Sequence, residues 1–161
     1  MAPRTRIGHL VAGLSAKAKP ARKPSPLVWQ PRGQPYPRLV EFDAVAAGLA
    51  KTAGLCVVWH LGVRPQWLRV AASADLAATI AAAATAAPIV AFQPNGGLYV
   101  AWLCCDGARA AAIATHLATV LAPRWRACDL PGEIAPATIS ESFPLPPGVS
   151  EVAKAGLIGN C

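Results

Sequence analysis

Charge is scarce in this 161-residue chain. Only 14% of its residues are Asp, Glu, Lys or Arg, against 54% hydrophobic. That mixture can fill a core and excludes wholesale disorder. Acid is missing altogether from residues 1–40. The five cysteines (Cys56, Cys104, Cys105, Cys128 and Cys161) contain no C-x-x-C and are odd in number, which argues against a disulfide framework or a zinc motif. Together with His60 and His116 they show no ligand spacing, so no metal or other cofactor is expected. Thiols acting as small apolar residues point to a reducing, cytoplasmic compartment. No P-loop, G-x-G-x-x-G or G-x-S-x-G occurs, which removes the signatures of nucleotide binding and of the serine-hydrolase elbow. No charge lies between residues 76 and 105, but Pro88 and the turn Gln93-Pro94-Asn95-Gly96-Gly97 cut this stretch. The pieces are too short for a bilayer core of about 30 Å, so no membrane partner is expected.

The charge that is present is unevenly placed. Arg4, Arg6, Lys17, Lys19, Arg22, Lys23, Arg32 and Arg38 give the first 40 residues +8, whereas residues 41–161 hold seven basic and all eight acidic residues. The high isoelectric point therefore belongs to the N-terminal segment. The same segment is rich in proline, with Pro24-Ser25-Pro26 and Pro35-Tyr36-Pro37, and reads as an extended or disordered arm. A basic arm suits polyanions such as nucleic acid; its bland counterpart is a solubilising tail. Residues 1–25 also have the Arg/Lys-rich, acid-free composition of an organellar transit peptide. Trp29 and Tyr36 in the arm can either dock on the body or stack on bases. The expected organisation is a basic arm over 1–38, a core domain over 39–128 and an irregular tail over 129–161.

Within the core domain the pattern reads helix, then hairpin–helix twice. Residues 39–53 are expected to form a short helix with Asp43 as N-cap and Gly54 at its end. Strands are expected at 55–61 and 66–71, rich in β-branched and aromatic residues, around a turn at 62–65. An alanine-rich helix over 74–87 follows, capped by Ser73 or Asp75 and ended by Pro88. A second hairpin, 89–93 and 98–104 around Asn95-Gly96, precedes a helix over 107–122 ended by Pro123. The expected fold is a small α/β (α+β) domain: an antiparallel or mixed sheet of two hairpins in ββαββα order, packed with two to three helices.

Sites of chemistry are harder to find. Cys56 or Cys104 with His116 makes a nucleophile pair on paper, but thiols in apolar strands stay protonated. His60 falls at a strand end. Five tryptophans are many for this length; Trp59, Trp67 and Trp102 read as core or sheet-face residues. Arg124-Trp125-Arg126 after the last helix reads as a basic, aromatic patch, able to stack on a base or pair with phosphate, or to cap the helix end.

The first hairpin–helix unit, 54–81, resembles the GIY-YIG nuclease family, particularly its phage-associated branch. Val57-Val58-Trp59 stands for the first-strand motif and Arg69-Val70-Ala71-Ala72-Ser73 for the second, with a looser match over 107–124 to a later helix. The resemblance implies a nuclease fold in which 66–71 is the central strand and position 79 faces a groove. It also implies a catalytic arginine at that position and a metal-binding glutamate on the later helix. The sequence departs on both counts, because Thr79 stands where the arginine belongs and no acid occurs between Gly107 and Cys128. Phosphodiester hydrolysis in such a site needs both a cation and a guanidinium. The expectation is a degenerate, non-catalytic domain with no catalytic residues. It would bind DNA or RNA through Arg4, Arg6, Lys17, Lys19, Arg22, Lys23, Arg32, Arg38, Arg64, Arg69, Arg124, Trp125 and Arg126. The alternative is an interaction or structural module of a larger protein assembly.

Overall fold

The strand Gly54–His60 (β1) is buried at all seven positions, because both faces of the sheet it centres are covered. The protein is described by a computed structural model that covers residues 26–33, 35–125, 131–135, 137 and 144–146. β1 pairs antiparallel with Gln66–Ser73 (β2) on one side and with Leu98–Cys104 (β3) on the other, giving the order β2-β1-β3. Alternation assigns Cys56 and Val58 to one core, with Leu68, Val100 and Trp102. It assigns Leu55, Val57 and Trp59 to the second, with Val70, Ala101 and Leu103. The helix Leu76–Thr85 (α1) covers the first face with Leu76, Ile80 and Ala83. On the second face, Ala110, Ala111, Ile113 and Leu117 of the longer helix Gly107–Leu121 do the same. Alanine lets these helices sit close to the strands. Gly54 brings backbone close in the same way: a Cβ there would lie 2.2 Å from the Leu103 carbonyl oxygen.

The caps follow the sequence. The Asp75 side chain accepts from the Ala78 N–H at 3.2 Å, and Asp106 accepts from Arg109 N–H at 2.9 Å, both satisfying orphan donors of a first helical turn.

Three expectations are corrected. Residues 39–53 form turns, not a helix. Asp43 accepts from the Val45 and Ala46 N–H groups at 3.0 and 2.9 Å, but Gly48 at φ +76° ends the run after about one turn. Residues 89–93 are not a strand. Pro88 begins a helix instead of only ending one: it lies in the first turn of the four-residue helix Ala87–Val90 (α2), where its missing N–H costs nothing. The chain then continues in turns to Gly97 through Phe92 N–H to Ile89 O and Gly97 N–H to Gln93 O. The second hairpin is therefore absent. With Gly107–Leu121 as α3, the order is ββααβα, a small α+β fold with a three-stranded antiparallel sheet and three helices among the described residues.

The third correction concerns the arm. Residues 26–33 and 35–38 pack along the outer edge of β3, so of the two fates open to Trp29 and Tyr36 both take docking on the body. Gln30 and Trp102 exchange both backbone hydrogen bonds, at 2.7 and 3.0 Å, and Val100 N–H donates to Pro37 O at 3.2 Å. Trp29 is buried, and its Nε1–H donates to the Pro144 carbonyl at 3.0 Å. Tyr36 meets Trp59 edge-on at 5.2 Å. The outer edge of β2 is covered likewise: Arg124 and Trp125 N–H donate to Trp67 and Leu68 carbonyls, and Ile134 N–H donates to Ala72 O. Neither sheet edge offers a free ladder over these stretches.

Candidate functional site

The described charges are divided unequally between the two ends of the sheet. His60 pairs with Gln66 and with Leu98 at one end, and Gly54 pairs with Ser73 and Cys104 at the other. Seven residues of β1 put these ends about 20 Å apart, more than a physiological Debye length of about 8 Å. Asp75 follows β2 and Asp106 follows β3 at the Gly54 end, beside Lys51 and Arg109; the Glu133 backbone is bridged to Ser73 there, but its carboxylate reaches back along β2 to Arg69, opposite Val58. The His60 end collects arginines. Arg64 lies in the β1–β2 loop. The Arg38 guanidinium lies over Tyr99 at 5.7 Å and against Gly97. Arg124 lies over Phe92 at 5.3 Å and over Trp125 at 5.9 Å. All three are exposed. Glu41, three residues after Arg38, is the acid that begins the connection leaving this end.

Between loop 61–65 and turn 93–97 at this end lies a cleft of about 610 Å³. It is lined by His60, Gly62, Val63, Arg64, Gln66, Pro94, Asn95 and Gly96. The two loops touch through backbone. A Cβ on Gly62 would lie 2.6 Å from the Asn95 carbonyl oxygen, and Gly96, at φ +90°, approaches the Gly62 nitrogen. Glycine at both positions is what lets the loops meet. His60 is 4% exposed and stacks on Phe92 at 5.4 Å and 23°. Its Nδ1 accepts from the Gly62 N–H at 3.3 Å, so the neutral ring carries its proton on Nε2. That Nε2 is buried without a hydrogen-bond partner among the described residues, a situation that costs about 1–3 kcal/mol. Among the described residues, no carboxylate lines the cleft. Its charged and polar side chains can offer hydrogen bonds to an acceptor-rich ligand.

Of the residues expected to bind nucleic acid, the fold gathers Arg38, Arg64 and Arg124 at one end and leaves Arg32 exposed beyond Gln30. Arg69 is corrected. It is 4% exposed and ion-paired through Nη2 with Glu133, 6% exposed; its Nη1 donates to Trp125 O at 3.4 Å. It holds the chain beyond α3 to the edge of β2 and is closed to an outside phosphate. Trp125 is also corrected: it is half-buried, packed against the first core and edge-on to Phe92 at 5.4 Å. Arg4, Arg6, Lys17, Lys19, Arg22, Lys23 and Arg126 lie outside the described residues. Nothing in the sequence around Gln66, Asn95 or the strand-end His60 by itself marks them as site residues. The signal available was the paired glycine turns at the same strand ends.

The position that the nuclease resemblance gives to an arginine is interior. Thr79 is fully buried, within 2.7 Å of the Ser73 hydroxyl, and its Oγ1–H donates to the Pro131 carbonyl at 2.8 Å. The central strand is β1 and not 66–71. The described thiols, Cys56, Cys104 and Cys105, are held protonated. Burial pushes Cys56 up to about 12, with the Glu133 carboxylate adding to the shift. Burial and then the Asp106 charge push Cys105 up to about 11, and burial raises Cys104. Among the described residues, no group of three or more His, Cys, Asp or Glu side chains is placed to hold a metal ion, and no helix is long and apolar enough to cross a membrane. Comparison with known protein families, with curated proteins and with solved structures returns no match to this chain.

Proposed function

We propose that the protein is a non-catalytic accessory protein that binds nucleic acid through its phosphate backbone. The observation that carries this reading is the collection of exposed Arg38, Arg64 and Arg124 at one end of the sheet, where Arg64 lines a cleft that no described carboxylate lines. The described acids Asp75 and Asp106 lie at the other end of the sheet, about 20 Å away by the strand rise, and the Glu133 carboxylate is paired with the buried Arg69. The basic residues of 1–25 add to the same sign of charge. Phosphate contacts of this kind position a strand without reading its sequence. Thr79, buried in a hydroxyl chain where the family resemblance requires a guanidinium, and thiols held protonated both favour binding without catalysis. The decayed nuclease ancestry rests on the hairpin–helix order at 54–85 alone, since β1 is the central strand and Thr79 is interior.

Fluorescence anisotropy of the full chain with labelled duplex DNA, single-stranded DNA and RNA tests it. Binding that weakens steeply between about 50 and 200 mM salt, with little sequence preference, is expected. No binding to any of the three at low salt overturns it. A second reading, an interaction module of a larger assembly, is favoured by one observation. Leu61 and Val63 beside the cleft are 54% and 105% exposed, and apolar side chains so presented suit a protein partner.

A further inference from the structure

We propose that the cleft between loop 61–65 and turn 93–97 is a binding site for the phosphate group of a nucleotide. This rests on the nucleic-acid reading and names what the cleft takes. Arg64, Gln66 and Asn95 line it from β2 and both loops, giving one guanidinium and two side-chain amides. A phosphate offers several acceptor oxygens and negative charge to such a set. His60 also lines the cleft and holds a buried Nε2–H that no described residue accepts. Its tautomer is fixed by the Gly62 N–H on Nδ1, and its ring is fixed by the stack on Phe92.

Other ligands fit less well. A cation would meet Arg64 with no described carboxylate to hold it, and an apolar molecule would leave the amides and the His60 N–H unpaired. A phosphate together with its nucleoside is of a size that clefts of this volume accept. The shape is set by backbone, because the Gly62–Asn95 approach leaves no room for a side chain. The phosphate can belong to a strand or to a free nucleotide, and the chemistry of recognition is the same.

The test uses the full chain with four probes: a nucleoside 5′-monophosphate, the parent nucleoside, and one DNA oligonucleotide with and without a 5′-phosphate. Calorimetry supplies affinities and nitrogen-15 spectra of the histidine rings supply proximity. The monophosphate is expected to bind and to move the His60 ring signals, and the nucleoside to do neither. Arg64→Gln should weaken the monophosphate by about tenfold or more, and Asn95→Ala by less, as loss of a charged and a neutral hydrogen bond respectively implies. Both side chains are exposed, so neither change threatens folding. Equal binding of nucleoside and monophosphate, an unaffected Arg64→Gln protein, or unmoved His60 signals overturns the site. If long DNA binds and the monophosphate does not, the cleft proposal fails and the nucleic-acid reading stands. If the monophosphate binds and neither DNA nor RNA does, the site stands and its ligand is a free nucleotide. A preference for the 5′-phosphorylated oligonucleotide assigns the site to strand ends.

Discussion

Replacing Glu133 by alanine should destabilise the protein by about 3–5 kcal/mol, the cost of leaving one partner of a buried ion pair behind. The structure puts the case at that end of the scale. Arg69 is 4% exposed and its Nε has no hydrogen-bond partner among the described residues. Once the carboxylate is gone, the guanidinium keeps a 3.4 Å bond to the Trp125 carbonyl. Natural domains have only about 5–15 kcal/mol in total, so about a fifth of the stability or more is at stake. Urea unfolding followed by tryptophan fluorescence measures it, with Trp67 and Trp125 close to the pair. With a slope of about 1–3 kcal/mol per molar urea, the midpoint should fall by at least about 1 M. The double variant Arg69→Met with Glu133→Leu should recover most of the loss, because a packed apolar pair no longer buries an unpaired charge. A midpoint for Glu133→Ala within experimental error of wild type, or a double variant worse than the single, would refute the assignment of the pair as the clamp on β2.

Cys56 should make the protein less stable in alkali. Its folded-state value of about 12 stands above the ordinary 9.0. Its contribution is thus complete below pH 9 and falls away as pH rises towards 12, by about 4 kcal/mol in all. Cys56→Ala should flatten that part of a pH–stability profile; an unchanged profile counts against the burial argument. Gly62→Ala should lower stability by about 1–3 kcal/mol through overpacking, since its Cβ would lie 2.6 Å from the Asn95 oxygen, and thermal melts would show it. Val63→Ser, at a fully exposed position, should change stability by no more than about 0.5 kcal/mol.

Local signals carried far. The apolar and β-branched content of 54–60, 66–73 and 98–104 and the alanine of the two long helices identify five of the elements, and Asp75 caps where a cap is needed. Where two local rules compete, the sequence is ambiguous: Pro88 fits a helix end as well as a helix start, and Ile89-Val90 fits a buried strand as well as a short helix. The site is less legible because it depends on distant pairing. Nothing near Arg69 in sequence marks it as interior; its partner lies 64 residues away. Arg38, Arg64 and Arg124 are visible as cations, but only the register that sets His60 against Gln66 and Leu98 collects them at one end.

The most direct test of the central claim is the salt dependence of DNA binding by the full chain, measured for wild type, for Arg38→Gln/Arg64→Gln/Arg124→Gln, and for Lys51→Gln. Each arginine–phosphate pairing that is removed should reduce the slope of log affinity against log salt by about 0.9. The triple variant should therefore show a slope smaller by about 2–3, while Lys51, exposed and three residues before Gly54, should leave it unchanged. Identical slopes for wild type and the triple variant would contradict the claim that the His60 end of the sheet faces nucleic acid.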